Sequence, residues 1–228
     1  MVTSVSADEI KQHNIRYWND LLNHKFILEM AADSLPTEKF AFYLRQDQIF
    51  LKEFCAFLLI AKQKSSDQKL KIWFDNLYHS TIDFEMQMQR ELLLSLGISD
   101  IYNNATTAIA MAPATLDYIS FLRQVSSSST KNLEVIVSGM APCPWSYLEI
   151  AQKLSKSDIK IDVYCKWIQF YSSEESQQQI EELKNILSRL YDRTDESTKR
   201  LMKQHFGAAC KYEYDFWEMA YNNVEAKH

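Results

Sequence analysis

The chain has 228 residues, of which 46% are hydrophobic and 24% charged, a composition typical of a globular protein. Its formal net charge of −5 and pI of about 5.6 give no reason to expect the basic face that nucleic-acid binding usually needs. No apolar run of about 18 residues predicts a transmembrane helix, and the first residues lack the basic-then-apolar pattern of a signal peptide. We therefore expect a cytoplasmic protein that binds neither nucleic acid nor a membrane.

Turn-forming residues are scarce, since the whole chain contains only 3 glycines and 4 prolines. Hairpins and sheets need such residues, so their scarcity favours long helices joined by few tight turns. No linker, repeat or low-complexity block divides the sequence. We predict a single all-α domain over residues 1–228, a bundle of seven or eight helices.

The helix boundaries follow from caps and breakers. A cap near Ser6, with Glu9 three residues later, predicts the first start, and Thr37 is a candidate cap for the second helix. Gly97 is expected to end the third helix. The alternation of apolar and polar residues over 159–163 could instead form a short strand. The predicted helices are Ala7–Met30, Thr37–Ala61, Gln68–Leu96, Pro113–Val125, Lys131–Leu154, Val163–Phe170, Glu174–Tyr191 and Glu196–Tyr221.

One cysteine has an unusual setting, because Cys143 lies between Pro142 and Pro144 in a segment that otherwise reads as helix. A proline in a helix interior costs roughly 3 kcal/mol, so the arrangement suggests that placing this thiol matters. Cysteine is also highly nucleophilic near neutral pH. The two hypotheses are a catalytic thiol and a buried, inert cysteine at a kink.

The other cysteines form no CxxC pair, so we predict no zinc site and expect reduced thiols. They are Cys55, Cys165 and Cys210.

Two carboxylates lie on apolar faces of predicted helices. Asp47 follows Tyr43 by one turn and precedes Phe50, and Glu213 precedes Trp217 by one turn. A buried carboxylate must find donors or a ligand, and one among aromatic rings has a raised pKa that suits acid–base chemistry. The alternative for Asp47 is a structural role, capping another helix or pairing with an arginine.

Aromatic side chains accompany these groups. Tyr147 follows Cys143 by four residues, so its hydroxyl and the thiol share one helix face if the helix continues beyond Pro144. Each ring alone could belong to the core, but together with the thiol and the two carboxyls they suit a flat, polar heteroaromatic ligand. The further rings are Tyr118, Tyr164, Trp167 and Tyr171.

A metal site is the competing interpretation of one polar helix face. Asp75, His79 and Asp83 recur at every fourth residue and could form half of a metal site. A di-iron four-helix bundle, however, uses two Glu-x-x-His motifs, and the chain does not carry two. We predict no metal and expect His79 to be a hydrogen-bonded inner histidine or an exposed one.

Four separated segments resemble the TenA/thiaminase II family, whose members are all-helical proteins with the haem-oxygenase-like fold. The resemblance covers nearly the whole chain, and the four segments occur in the family's order. They are residues 44–51 (LRQDQIFL), 142–149 (PCPWSYLE), 164–171 (YCKWIQFY) and 212–221 (YEYDFWEMAY).

The resemblance implies an aminopyrimidine hydrolase of thiamine salvage. Its substrate would be 4-amino-5-aminomethyl-2-methylpyrimidine or thiamine, and its product hydroxymethylpyrimidine. By motif position Cys143 would add to the pyrimidine ring, Asp47 would bind the ring's amino group and adjacent nitrogen, and Glu213 would move protons. Tyr147 would lie beside the thiol. The remaining pocket residues would be Phe50, Tyr118 and Tyr171. The resemblance implies no metal or organic cofactor, and a homotetramer.

Two residues depart from the family's pattern, and both bear on substrate range. Pro144 replaces an aromatic or other bulky residue, and Phe50 replaces a tyrosine found in some members. Two other functions remain open. One is a cofactor-free or metal-dependent oxidase on the same fold, which would need a histidine-rich or basic pocket. The other is a non-catalytic protein that binds thiamine or a pyrimidine, or acts as a regulator.

Overall fold

The computed structural model describes residues 5–98, 110–127 and 132–222, and every regular element within these ranges is helical. Twelve α-helices follow one another, with one π-helical turn, Ser80–Glu85, between the fifth and the sixth. The α-helices are α1 Val5–His13, α2 Ile15–Leu22, α3 Lys25–Ala31, α4 Thr37–Lys64, α5 Gln68–His79, α6 Met86–Ser95, α7 Pro113–Val125, α8 Leu133–Met140, α9 Pro142–Leu154, α10 Asp162–Tyr171, α11 Glu174–Asp192 and α12 Glu196–Asn222.

The prediction of one continuous first helix is wrong, because the structure divides this segment into α1, α2 and α3. At the first break, the Asn14 side chain donates to the carbonyl oxygens of Ile10 and Lys203, each at 3.0 Å. At the second, the His24 ring accepts a hydrogen bond from the Phe26 backbone and caps α3. Side-chain bonds of this kind compete with helix continuation.

Two predicted caps are also wrong. Helix α1 already includes Val5, and the Ser6 hydroxyl donates to Asp192 at 2.6 Å instead of capping its own helix. Thr37 is the first helical residue of α4 and follows Pro36, whose extended backbone starts the helix without a side-chain cap.

The predicted third helix is divided by the π-helical turn, in which a backbone N–H donates to the carbonyl oxygen five residues earlier rather than four. Its predicted end is confirmed, because α6 stops at Ser95 and Gly97 adopts a φ of 78°, a left-handed conformation that glycine tolerates best.

The Pro-Cys-Pro segment stands at a helix start, not in a helix interior. Helix α8 ends at Met140 and α9 begins at Pro142. Both prolines therefore lie in the first turn of α9, where their missing N–H groups would lack an intrahelical partner anyway. The expected interior cost does not arise. The first predicted helix corresponds to three observed helices, and the third and fifth to two each, so the described residues form twelve α-helices where seven or eight were predicted. The predicted start at Lys131 lies outside the described residues.

The alternative of a strand near 159–163 is wrong, since residues 159–161 are irregular and α10 begins at Asp162. Helix α7 has the predicted bounds, and the predicted ends of α10, α11 and α12 lie within one residue of those observed.

The last helix organises the core. Helix α12 contacts α1, α2, α3, α4, α7, α8 and α9, and one cluster of buried hydrophobic residues extends from Ala7 to Ala220. Gly207 of α12 approaches α2 so closely that a methyl group there would overlap the Asn14 side chain. Among the described helices, none is both long and apolar enough to span a bilayer.

Candidate active site

Helix α4 carries a buried carboxyl group, that of Asp47, which is 3% exposed. The Tyr43 hydroxyl donates to its Oδ2 at 3.1 Å, and Nε2 of Gln89 donates to the same oxygen at 2.6 Å. Burial raises the pKa of Asp47 to about 7, although both hydrogen bonds work to lower it. The carboxyl can therefore gain or lose a proton near neutral pH. No arginine partner is needed to explain its burial.

The amide of Gln89 is held in one orientation by a neighbouring glutamine. Nε2 of Gln48 donates to the carbonyl oxygen of Met86 at 3.0 Å and to Oε1 of Gln89 at 2.9 Å. Because a carbonyl oxygen can only accept, Gln48 must present its nitrogen, and Gln89 must turn its oxygen toward Gln48. The nitrogen of Gln89 therefore faces Asp47, and it also lies 3.4 Å from the Tyr171 hydroxyl.

A second carboxyl group, Glu85, is the last residue of the π-helical turn. The Tyr171 hydroxyl donates to its Oε1 at 2.6 Å, and the side chain of buried Thr81 is a further hydrogen-bond partner. Burial and the negative field of Asp47 raise the pKa of Glu85 to about 8. The hydrogen bonds thus connect Asp47 and Glu85 through Gln89 and Tyr171.

A third carboxyl group, Glu213 of α12, is 2% exposed. The Tyr118 hydroxyl donates to its Oε1 at 2.6 Å. Burial raises the pKa of Glu213 to about 8, and the field of Asp47 adds to the increase. The burial of both Asp47 and Glu213 confirms the prediction made from their apolar helix faces.

The Cys143 thiol and the Glu213 carboxyl lie close enough for each group to act on the ionisation of the other. A helix N-terminus usually lowers a cysteine pKa, and Cys143 is the second residue of α9. Here burial, followed by the fields of Glu213, Glu85 and Asp47, raises its pKa well above the usual value. The thiol is therefore protonated at neutral pH in the free protein.

Helix α9 is fixed to the first two helices through Glu149. Its carboxylate accepts hydrogen bonds from Nε1 of Trp18 at 2.9 Å, Nε1 of Trp145 at 2.8 Å and Nζ of Lys11 at 2.8 Å. These contacts hold the helix whose first turn carries Cys143.

Aromatic rings surround the acids and the thiol. Tyr147 packs against Tyr171 with ring centroids 5.1 Å apart, and against Trp217 at 5.4 Å. Its side chain is also a hydrogen-bond partner of Tyr43. Phe50 packs against Tyr118 at 4.6 Å. Of the other predicted rings, Trp167 donates to the Tyr43 hydroxyl at 3.2 Å, and the Tyr164 hydroxyl donates to the carbonyl oxygen of Leu35 at 2.8 Å.

A cavity of about 50 Å³ lies between these elements. Such a space holds a few water molecules, roughly the bulk of one small ring. Of the seven predicted site residues, four line it: Asp47, Cys143, Tyr147 and Tyr171. The other three, Glu213, Tyr118 and Phe50, do not line it; Tyr118 joins them, since it donates a hydrogen bond to Glu213 and packs against Phe50. Pro144, one of the two departures from the family's pattern, is part of the wall.

Sequence reasoning missed Glu85 and Gln89. Thr81, Glu85 and Gln89 recur at every fourth residue, among apolar residues such as Leu77 and Leu92. The argument that singled out Asp47, a polar group on an apolar face, would have identified them. The π-helical turn changes the register there, so spacing alone would still have misplaced their directions.

The alternative metal half-site, Asp75, His79 and Asp83, does not form part of this cavity wall. His79 is 65% exposed, and its Nδ1 lies 3.0 Å from Oδ2 of Asp83. Within the described ranges, no group of three His, Cys, Asp or Glu side chains is arranged to hold a metal ion. The cavity is lined by no Lys, Arg or His among the described residues, so it lacks the histidine-rich or basic character that the oxidase hypothesis needs.

The arrangement joins a nucleophile, three carboxyl groups that titrate near neutrality and a small aromatic cavity. Groups with pKa values near the working pH are suited to moving protons, and the thiol to covalent addition. Together they can perform addition to an electron-poor ring followed by elimination.

Known proteins resemble this chain over most of its length. An aminopyrimidine aminohydrolase from Halalkalibacterium halodurans is 30% identical over 207 residues, 90% of each chain, and one from Bacillus subtilis is 28% identical over 216 residues, 94% of this chain and 89% of that one. A TenA homologue from P. horikoshii OT3 superposes with a TM-score of 0.83 at 22% identity, covering 95% of this chain and 98% of that one.

The haem-oxygenase-like architecture is confirmed by a more distant structure. Heme oxygenase-1 from Synechocystis superposes with a TM-score of 0.64 at 12% identity, covering 96% of this chain and 93% of that one. The model of the TENA/THI-4/PQQC family matches residues 12–223. The chain belongs to the TENA/THI-4/PQQC family.

Proposed function

We propose that this protein is an aminopyrimidine aminohydrolase that releases 4-amino-5-hydroxymethyl-2-methylpyrimidine from the corresponding aminomethylpyrimidine, and from thiamine, for thiamine salvage. The observation that carries the proposal is the position of the Cys143 thiol, which lines an aromatic cavity together with Asp47 and interacts with the Glu213 carboxyl. The names of the relatives support the same reaction.

Asp47 binds the pyrimidine. Its carboxyl, with a pKa of about 7, pairs with the ring's amino group and adjacent nitrogen and shares a proton with that nitrogen. A protonated ring attracts a nucleophile more strongly, because the electrons of the attack can settle on nitrogen. Tyr147 and Tyr171 hold the ring plane within the cavity.

Cys143 performs the covalent step. Its proton passes to Glu213, and its sulfur forms a bond to a ring carbon while the ring electrons move to the protonated nitrogen. The bond between the exocyclic methylene and the amine then breaks, its electron pair leaves with the amine, and Glu213 can supply a proton. Water gives a proton to Glu213 and adds to the methylene. The thiolate departs, the ring regains aromaticity, and the thiol recovers its proton.

The test is incubation of the purified protein with the aminomethylpyrimidine and, separately, with thiamine, while release of the hydroxymethylpyrimidine is measured. Cys143→Ala is expected to abolish turnover and retain the fold, and Cys165→Ala, a change at an exposed cysteine, to retain turnover. Folded wild-type protein without turnover would contradict the proposal. Tight pyrimidine binding in that case would identify a binding protein.

We further propose one domain over residues 1–228 that assembles as a cytoplasmic homotetramer without metal or organic cofactor, with Phe50 and Tyr118 supporting the pocket. With a chain mass of 26.8 kDa, four copies give about 107 kDa in light scattering. A mass near that of one or two chains would contradict the tetramer.

A further inference from the structure

One buried carboxyl group has no task in the mechanism above. Glu85 lines the cavity and accepts a 2.6 Å hydrogen bond from Tyr171, yet Asp47 suffices for the ring and Glu213 for the thiol. It is held there by a π-helical turn, an irregularity that occurs often at functional sites. Burying a carboxyl group is costly unless something compensates for it.

Among the described residues that line the cavity, no Lys, Arg or His side chain offers that compensation. The charges that act most strongly on Glu85 are those of Asp47 and Glu213, which have the same sign. Repulsion between ionised carboxyl groups in a medium of low dielectric constant favours their protonated forms in the empty cavity, and a positively charged ligand would stabilise the ionised form of Glu85 instead.

The surroundings of Glu85 indicate which end of a ligand it meets. An open groove of about 930 Å³ adjoins the cavity, and the two share Ser80, Phe170, Ser176 and Gln179 as lining residues. Ser80 belongs to the same π-helical turn as Glu85, and Phe170 precedes its partner Tyr171. The turn that carries Glu85 and the helix that carries its partner Tyr171 thus both reach the junction of cavity and groove, and the groove offers a path for the departing part of a ring-bound substrate.

We propose that Glu85 binds the positively charged nitrogen of the leaving group, and that the enzyme thereby selects pyrimidines whose displaced nitrogen is cationic over those whose displaced nitrogen is a neutral amide. A primary ammonium and a quaternary ring nitrogen both meet this requirement. The inference rests on the proposed function and narrows its substrate class.

A cationic leaving group also changes the path of the protons. When the C–N bond breaks, the nitrogen keeps the bonding electron pair, so an ammonium leaves as neutral ammonia and a quaternary ring nitrogen leaves as a neutral ring. The leaving group therefore needs no proton. Glu213 then keeps the proton that it received from the thiol, and it returns this proton to the sulfur when the sulfur leaves the ring. The proton that water loses passes to Glu85, whose carboxylate the departed cation has left free, and from there to solvent. Each turnover thus releases one alcohol, one neutral leaving group and one proton.

The experiment compares a cationic substrate with neutral ligands in wild type and Glu85→Gln. The probes are the aminomethylpyrimidine, its N-formyl derivative as a neutral substrate, and the hydroxymethylpyrimidine as a neutral inhibitor. A lost hydrogen bond to a charged group lowers kcat/KM for the amine by about 10- to 150-fold. The inhibition constant of the neutral inhibitor is expected to change less than about threefold, and turnover of the formyl derivative to change equally little.

The matched control is Asp83→Asn, which removes a carboxylate from the same turn. Asp83 is 56% exposed and pairs with His79. Loss of its carboxylate is therefore expected to change neither kcat/KM for the amine nor the inhibition constant of the hydroxymethylpyrimidine. Glu85→Asp retains the charge and is expected to retain the preference for the amine. Equal losses for charged and neutral ligands in Glu85→Gln, or no loss, would overturn the inference.

Wild type alone gives a second test, should Glu85→Gln fail to fold. Its kcat/KM for the amine is expected to exceed that for the formyl derivative by at least about tenfold. An equal or reversed ratio overturns the role of Glu85 while leaving the proposed function in place. Absence of turnover with either substrate overturns the proposed function itself.

Discussion

Replacing Tyr118 with phenylalanine tests the proton-accepting role of Glu213. Phenylalanine keeps the ring that packs against Phe50 at 4.6 Å and against Tyr212 at 5.5 Å, and it removes only the hydroxyl that donates to Glu213 at 2.6 Å. That hydrogen bond favours the ionised carboxylate and lowers the pKa of Glu213. Its removal is therefore expected to raise this pKa.

The size of the effect follows from the strength of such a bond. A hydrogen bond to a charged group contributes about 1.5–3 kcal/mol, and one pKa unit corresponds to about 1.4 kcal/mol. The pKa of Glu213, about 8 in the wild type, should thus rise by about one to two units. At pH 7 the ionised fraction then falls about 10- to 100-fold, and kcat/KM falls with it.

The assay is the pH dependence of kcat/KM, which reports ionisations of the free enzyme and free substrate. The acidic limb of the Tyr118→Phe profile should move to higher pH, with activity recovering in alkaline buffer. Tyr212→Phe removes a hydroxyl from the ring stacked on Tyr118 and should leave the limb in place. An unshifted limb in Tyr118→Phe, or equal shifts in both variants, would refute the assignment of Glu213 as the group that accepts the thiol's proton.

Three further predictions concern stability and reactivity. The pKa of Asp47 is about 7 in the folded protein and near 4 in the unfolded chain, so its ionisation lowers the free energy of unfolding increasingly as pH rises between these two values. Asp47→Asn should therefore raise the melting temperature about 5 °C more at pH 8.5 than at pH 5, and an equal gain at both would contradict this. Iodoacetamide should alkylate Cys143 at pH 7 at least about tenfold more slowly than exposed Cys165, as peptide mass spectrometry can measure; faster labelling would show a thiolate in the free enzyme. Gly207→Ala should lower the free energy of unfolding in urea by about 1–3 kcal/mol, with a smaller loss in an Asn14→Ala background, and additive losses would disprove the contact.

Local spacing was sufficient for several features that depend on neighbours within a few residues, although the caps predicted at Ser6 and Thr37 are wrong. The apolar residues around Asp47 and Glu213 predict their burial, and both are buried. Pro113 at the first turn of α7 and Gly97 after α6 mark helix ends that the structure confirms. Such signals are physical properties of one turn of chain and need no tertiary information.

The features that sequence reasoning missed depend on partners far along the chain. The break at Asn14 is fixed by the Lys203 carbonyl oxygen, 189 residues away. Glu85 meets Tyr171 across 86 residues, and Gln89 meets Asp47 across 42. The π-helical turn has no local signature that helical periodicity detects, because that analysis assumes one constant rotation per residue.

Because of the π-helical turn, the helical fold and the position of the Glu85 carboxyl group can evolve independently of each other. The turn accommodates one residue more than a regular helix would, and each residue of an α-helix accounts for about 100° of rotation. Loss of a single codon within 80–85 could therefore leave an uninterrupted helix from α5 to α6 and turn Glu85 away from Tyr171. Descendants of one ancestral bundle could thus acquire or discard this acid in a single genetic event while the bundle itself persists.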